Sequence, residues 1–222
     1  MGYQEEFIEF MIRSQVLTFG DFVTKSGRRT PYFINTGNYK TGEQIGKLGD
    51  FYADCIMSNT GQNFDLLYGP AYKGIPLAVA AAISLHRKYH LNVPYCFNRK
   101  EKKDHGEGGE IIGSAPQNGE RVVIIEDVVT AGTSVRESLT LLKLAADVNV
   151  ASLVVSVDRM EKGSGVKTTL QELQEVFGIS TYAIVTIADI VNYLYRREID
   201  GRVLIDAAVK KRIEDYLQMY GA

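Results

Sequence analysis

Two uninterrupted apolar runs, Val122-Val123-Ile124-Ile125 and Leu153-Val154-Val155, constrain this chain more than any other feature of its sequence. A strand with one wet face alternates apolar and polar residues, whereas a strand covered by helices on both faces of a parallel sheet does not. A helix is expected between the two runs, from about Ser134 to Ala146, and the same order stands upstream: Asp65–Tyr68, a helix from about Ile75 to Tyr89, then Val93–Phe97. Strands alternating with helices make βαβ units, so the expected fold is α/β, a central and mainly parallel sheet flanked by helices. Further elements are expected at Thr168–Phe177, Thr181–Ile187 and Ile190–Arg197, with a terminal helix from about Asp206 to Met219.

Ahead of the sheet, Tyr3, Phe7, Phe10 and Met11 share one helical face, and Ile45, Leu48, Tyr52 and Ile56 share another,. Between these helices, Gly20 to Asn38 is rich in Gly, Thr, Ser and Arg, with one short strand at Tyr32-Phe33-Ile34,. This is a small N-terminal hood, mainly residues 1 to 40. At 222 residues the chain is expected to form a single domain over 1–222,.

A formal net charge of −2 supplies no field to gather nucleic acid or an anionic membrane, so anion recognition must be local,. Cys55 and Cys96 form no C-x-x-C pair and are expected as buried apolar side chains in a reducing compartment,. The first ten residues carry Glu5, Glu6 and Glu9 instead of a basic leader, and the most apolar stretch, Ile75 to Leu85, is too short to span a bilayer,. A cytoplasmic location is expected.

The chemistry concentrates in VVIIEDVVTAGTS, residues 122–134. A buried strand delivers Glu126 and Asp127 to its carboxyl end, where open α/β sheets bind ligands. The loop Val128-Val129-Thr130-Ala131-Gly132-Thr133-Ser134 then enters a helix whose first amides lack internal partners and suit a phosphate,. The paired acids suit the two hydroxyls of a ribose. There is no Walker G-x-x-x-x-G-K-[ST] and no G-x-G-x-x-G after a strand,. A plainer reading makes Ser134 and Glu137 a capping box at the helix start, and we expect that box as well.

Three other segments carry charge at telling places. Arg99, Lys100, Lys102, Lys103 and His105 fall within seven residues ahead of Gly106, Gly108 and Gly109, a cationic loop suited to close over a diphosphate,. Read alone, with Glu101, Asp104 and Glu107 interspersed, the same stretch is a solvated loop. Tyr72 and Lys73 lie on a strand-to-helix loop that should open on the same face as Thr130, where they can hold a pyrophosphate; the alternative is an ordinary Gly-Pro turn,. Arg159 follows a buried strand, where its fork matches a carboxylate on a planar ring or else pairs with Asp158 or Glu161,.

The 122–134 segment resembles the phosphoribosyl-diphosphate fingerprint of type I phosphoribosyltransferases. FVTKSGRRTPYFIN (22–35), LLYGPAYKGIPLA (66–78), FNRKEKKDHGEGG (97–109) and VVSVDR (154–159) are similar, in the same order, to segments of the orotate phosphoribosyltransferase family. The resemblance covers nearly the whole chain from about Phe19. One departure is Glu126, where many relatives carry Asp.

The resemblance implies the type I phosphoribosyltransferase fold and transfer of a 5-phosphoribosyl group from phosphoribosyl diphosphate to orotate, a step of pyrimidine synthesis. By it, Lys25 contacts the diphosphate end and orotate, Phe33 and Ile34 wall the base site, and Thr130 and Arg159 help hold the base. The catalytic set is then Lys103, His105, Arg99 and Asp127, with Lys100 among the pyrophosphate contacts. Mg²⁺ is expected to arrive chelated by substrate, without protein ligands. The resemblance also implies a homodimer with shared active sites, and no nucleic-acid or membrane partner is expected. A purine phosphoribosyltransferase and a non-catalytic phosphoribosyl-diphosphate sensor are the rival readings; Arg159 and the 25–35 hood argue against the first, and the complete 99–105 loop against the second.

Overall fold

A computed structural model describes residues 2–24, 27–100 and 110–222. Helix α1 (Tyr3–Arg13) leads into an antiparallel hairpin, β1 (Leu17–Val23) and β2 (Arg29–Ile34), and then into α2 (Gly42–Thr60). The sheet elements follow: β3 (Leu66–Tyr68), α3 (Gly74–Tyr89), β4 (Tyr95–Asn98), β5 (Ile111–Gly113), β6 (Arg121–Glu126), α4 (Thr133–Ala145), β7 (Asn149–Asp158), α5 (Thr169–Phe177) and β8 (Ser180–Thr186). Helix α6 (Ile187–Leu194), a small hairpin of β9 (Glu198–Ile199) and β10 (Arg202–Val203), and α7 (Ala207–Tyr220) complete the chain.

The central sheet has the order β5-β4-β3-β6-β7-β8 and is parallel except for β5, which runs antiparallel on the edge beside β4. Both faces are covered, as the apolar runs require. Leu66, Tyr68, Val122, Ile124, Leu153 and Val155 pack with Val135, Leu139 and Leu142 of α4 and Leu170 and Leu173 of α5. Leu67, Val123, Ile125 and Val154 point the other way, onto Leu48, Tyr52 and Ile56 of α2 and Leu77 and Ala81 of α3. Removing each of these Val, Leu or Ile side chains from water contributes roughly 1.5–3 kcal/mol. Cys55 and Cys96 are buried free thiols, and burial pushes both up to about 12.

Beyond the edge strand β5 and the β9–β10 hairpin, which were not expected at all, two further elements differ from expectation. The hood holds a full hairpin, because β1 pairs with β2 from Leu17↔Ile34 to Val23↔Arg29 across a bulge between Phe19 and Phe22, and that bulge breaks the alternation a reader looks for,. Helix α6 begins at Ile187, directly off β8, and ends at Leu194, where Ile190–Arg197 was expected. Thr186 sets the start: its hydroxyl accepts from the Asp189 amide while the Asp189 carboxylate accepts from the Thr186 amide,. Among the described residues no helix is long and apolar enough to cross a membrane.

Candidate active site

The sheet reverses direction of growth between β3 and β6. From β3 the chain crosses by α3, on one face, to β4; from β6 it crosses by α4, on the opposite face, to β7. Such a switch opens a crevice at the carboxyl ends of the two strands. The loop after β3 carries Tyr72 and Lys73, and the loop after β6 carries Asp127 to Gly132, so both candidate anion loops border one crevice. A cavity of about 660 Å³ lies between Pro70 and Ala71 of the first loop and Thr133 and Ser134 at the start of α4, with Arg99 and Lys100 also lining it, and Lys73 and Asp127 line a neighbouring cavity beside Thr36.

Glu126 and Asp127 are each 8 % exposed, and the surrounding structure fixes their backbone as well as their carboxylates. The Tyr52 hydroxyl donates to the Glu126 carbonyl at 2.7 Å, and Ser156 donates to the Asp127 carbonyl through its amide at 2.9 Å and its hydroxyl at 2.6 Å. Asp127 Oδ2 accepts from Lys73 Nζ at 2.7 Å and from the Thr36 hydroxyl at 2.6 Å. Glu126 Oε2 accepts from the Ser134 hydroxyl at 2.8 Å. Burial, and secondarily the adjacent Asp127 charge, hold the Glu126 carboxyl above its ordinary range,.

That Ser134 contact corrects the expected capping box. The N-cap of α4 is Gly132, with φ 73° and ψ 10°, and no side chain caps it. Ser134 lies inside the first turn, and the buried Glu126 carboxylate takes its hydroxyl instead. Gly132 is required where it stands: beyond its left-handed backbone, a Cβ would sit 3.1 Å from Thr169 Cγ2,. The Thr169 hydroxyl in turn donates to the Thr130 carbonyl and ties the loop to α5. Thr130, Ala131 and Thr133 are exposed on this loop, whereas Val128 and Val129 are half-buried.

Across the crevice, Gly69 and Gly74 cross so closely that a Cβ on Gly69 would lie 2.1 Å from the Gly74 carbonyl oxygen, and Asn98 accepts from the Ala71 amide at 2.7 Å,. Tyr72 is exposed, and Lys100 Nζ stands 5.5 Å from its ring centroid. The Arg99 amide donates to the Glu110 carbonyl at 2.8 Å. Lys25, Lys103 and His105 lie outside the described residues.

The hood reaches both ends of the crevice. Thr36, in the turn after β2, touches Asp127, while Arg159 lies with its guanidinium carbon 5.1 Å from the centroid of the Tyr32 ring in β2. Phe33 and Ile34 fall between these anchors; Phe33 is 39 % exposed and packs on Phe22 at 5.6 Å between centroids. Arg159 is salt-bridged to Glu161 at 2.6 Å. Burial works against its cation, but Tyr32 and Glu161 outweigh that and leave its pKa raised. Of the alternatives open for Arg159 in the sequence, the ion pair with Glu161 is formed.

Reading the sequence alone missed Thr36, Tyr52, Ser156 and Thr169. Each contacts the acids or their loop from a distant part of the chain, so local spacing carries no sign of them. The one available signal was Ser156, a polar residue inside an apolar strand, which had to find a buried partner,.

Comparison with known proteins agrees with this geometry. Residues 35–186 match the model of the phosphoribosyl transferase domain family. The chain is 57 % identical over 219 residues to the orotate phosphoribosyltransferase of Clostridium acetobutylicum, covering 99 % of this chain and 98 % of that one. The crystal structure of orotate phosphoribosyltransferase from Francisella tularensis superposes with a TM-score of 0.84 at 36 % identity, covering 98 % of this chain and 100 % of that one. Adenine phosphoribosyltransferase from Leishmania tarentolae, at 14 % identity and a TM-score of 0.53 over 81 % of this chain and 87 % of that one, shares the fold alone. With more than half its residues shared along almost all of a curated relative, and the acids, the loops and the hood meeting at one crevice, this chain belongs to the orotate phosphoribosyltransferases.

Proposed function

We propose that the crevice transfers the 5-phosphoribosyl group from phosphoribosyl diphosphate to orotate, releasing pyrophosphate and giving orotidine 5′-monophosphate. The observation that carries this reading is the joining of two acids and a small-residue loop at one strand end, under a hood anchored to both Asp127 and Arg159. The amides and hydroxyls of Thr130 to Ser134 take the 5′-phosphate, and Glu126 and Asp127 accept from the ribose diol. Tyr72 and Lys73 take the diphosphate, with Lys25, Arg99, Lys100, Lys103 and His105. The base lies against Phe33 and Ile34, with Lys25, Thr130 and Arg159 as its polar contacts.

In the reaction the ribose C1–oxygen bond to diphosphate breaks, and a bond from C1 to the ring nitrogen forms as that nitrogen gives up its proton. Positive charge grows on the ribose and negative charge on the leaving group. Fixed dipoles and charges aimed at both supply the largest share of catalysis. Lys73 must exchange Asp127 for the diphosphate when substrate enters, which frees the acid to meet the diol.

Among the described residues no three His, Cys, Asp or Glu side chains stand close enough to hold a metal ion. That fits Mg²⁺ held by diphosphate oxygens and water, which needs no cage of protein ligands and leaves Glu126 and Asp127 to the ribose diol. Bound there, the ion would neutralise charge on the leaving group. We further propose a cytoplasmic homodimer in which the 99–105 loop of one subunit completes the site of the other.

The test is loss of orotate absorbance when the protein meets orotate, phosphoribosyl diphosphate and Mg²⁺, repeated with hypoxanthine and adenine. Turnover with orotate alone is expected. Turnover only with a purine overturns the assignment.

A further inference from the structure

Arg159 and Glu161 stand two residues apart beyond β7, and Glu161 does more than neutralise its neighbour. Its Oε1 accepts four hydrogen bonds: from Arg159 Nε at 2.9 Å and Nη2 at 2.6 Å, from the Tyr216 hydroxyl at 2.8 Å and from the Tyr32 hydroxyl at 3.3 Å. The Tyr32 ring also covers the guanidinium and meets the Tyr216 ring edge-on at 84° and 5.8 Å. Three separate elements thus converge on one oxygen: β2 of the hood, the segment after β7, and α7. The Arg159 and Glu161 side chains are only 13 % and 19 % exposed.

A bare ion pair would leave a flexible guanidinium to swing about its own stem. Here one edge is engaged and one face is covered, so both the plane and the direction of the fork are set. The two hydrogen bonds of Arg159 to Glu161 leave from Nε and Nη2, so Nη1 takes no part in holding that carboxylate. A guanidinium recognises a carboxylate well only when the two planes align, and holding it aligned beforehand removes an ordering cost from binding.

We propose that Glu161, buttressed by Tyr32 and Tyr216, is a positioning residue for base recognition, turning the unengaged edge of Arg159 toward the carboxylate of the base. The inference deepens the orotate reading and rests on it. It adds that selection for a carboxylate-bearing base depends on α7, an element remote from the phosphate loop.

The test is steady-state kinetics on the full-length protein with orotate and phosphoribosyl diphosphate varied in turn, with thermal midpoints recorded alongside. Glu161→Gln is expected to raise the KM for orotate about tenfold, the loss of one charge-assisted bond, with kcat and the KM for phosphoribosyl diphosphate changed by less than about twofold. Tyr216→Phe removes one of the supporting donors and is expected to raise the KM for orotate about threefold. Inhibition by uracil, which presents the ring without the carboxylate, should be the same in wild type and Glu161→Gln. An unchanged KM for orotate in both variants overturns the proposal, as does equal weakening toward orotate, uracil and phosphoribosyl diphosphate. If Glu161→Gln does not fold, Tyr216→Phe decides. A wild type that ignores orotate overturns the functional reading and this inference together, whereas an active wild type with unaltered variants overturns the inference alone.

Discussion

Replacing Gly132 by Ala probes the loop on which the proposed phosphate site depends. The residue sits at φ 73°, a conformation that costs an L-residue about 1–2 kcal/mol,. The new methyl would meet Thr169 Cγ2 at 3.1 Å, while Leu173 Cδ1 and Cδ2, at 3.5 and 3.6 Å, are ordinary contacts. Thr169 is buried, and its hydroxyl is held by the Thr130 carbonyl, so it can turn aside only by giving up a hydrogen bond worth about 1 kcal/mol,. The two effects together amount to about 2 kcal/mol, or a fall in thermal midpoint of roughly 4–8 °C for a chain of this size. Thr169→Ser deletes the methyl and keeps the hydroxyl, so the double variant should regain the part due to contact and retain the part due to φ. Calorimetry on wild type, both single variants and the double variant closes the cycle. The KM for phosphoribosyl diphosphate should rise with the loss of stability, since the strained residue lies in the proposed cradle. Strictly additive single effects would refute the contact, and a Gly132→Ala midpoint equal to wild type would refute the backbone argument.

The buried acid, the tyrosine beneath it and the shared site each give a further expectation. The folded-state pKa of Glu126 is raised, so its contribution to stability is present below its unfolded value and lost as pH rises through the folded value,; Glu126→Gln should therefore raise the thermal midpoint more at about pH 8 than at about pH 4 while lowering turnover, and no difference between the two would contradict the burial argument. Tyr52→Phe strands the buried Glu126 carbonyl and should cost about 1–2 kcal/mol in denaturant unfolding; a loss near zero would show that another donor replaces the hydroxyl,. Mixing Lys103→Ala subunits with Asp127→Asn subunits should restore activity that neither possesses, because one site of the hybrid is then intact. No recovery would count against shared sites.

Much of the fold was legible because burial on both faces leaves its mark residue by residue: Val122 to Ile125 had to be a central strand, and the acids had to emerge at its end. The hairpin was not, since the bulge between Phe19 and Phe22 disrupts the period that announces a strand. The acids and the hydroxyl loop were visible in sequence, but their supports were not. Thr36 is brought to Asp127 by the hood and Ser156 by the neighbouring strand, contacts made by tertiary structure and invisible to spacing. Ser134 shows the limit from the other side, since its local pattern pointed to a helix cap, and a buried carboxylate eight residues upstream took its hydroxyl.

The central claim is that a single strand-loop-helix unit grips the sugar donor by its diol and its 5′-phosphate together. A crystal structure with phosphoribosyl diphosphate and Mg²⁺ tests it directly. The account predicts the 5′-phosphate on the amides of Thr130 to Ser134, both ribose hydroxyls on Glu126 and Asp127, and Lys73 moved from Asp127 to the diphosphate. A donor bound elsewhere, with the Lys73–Asp127 pair still closed, would contradict it.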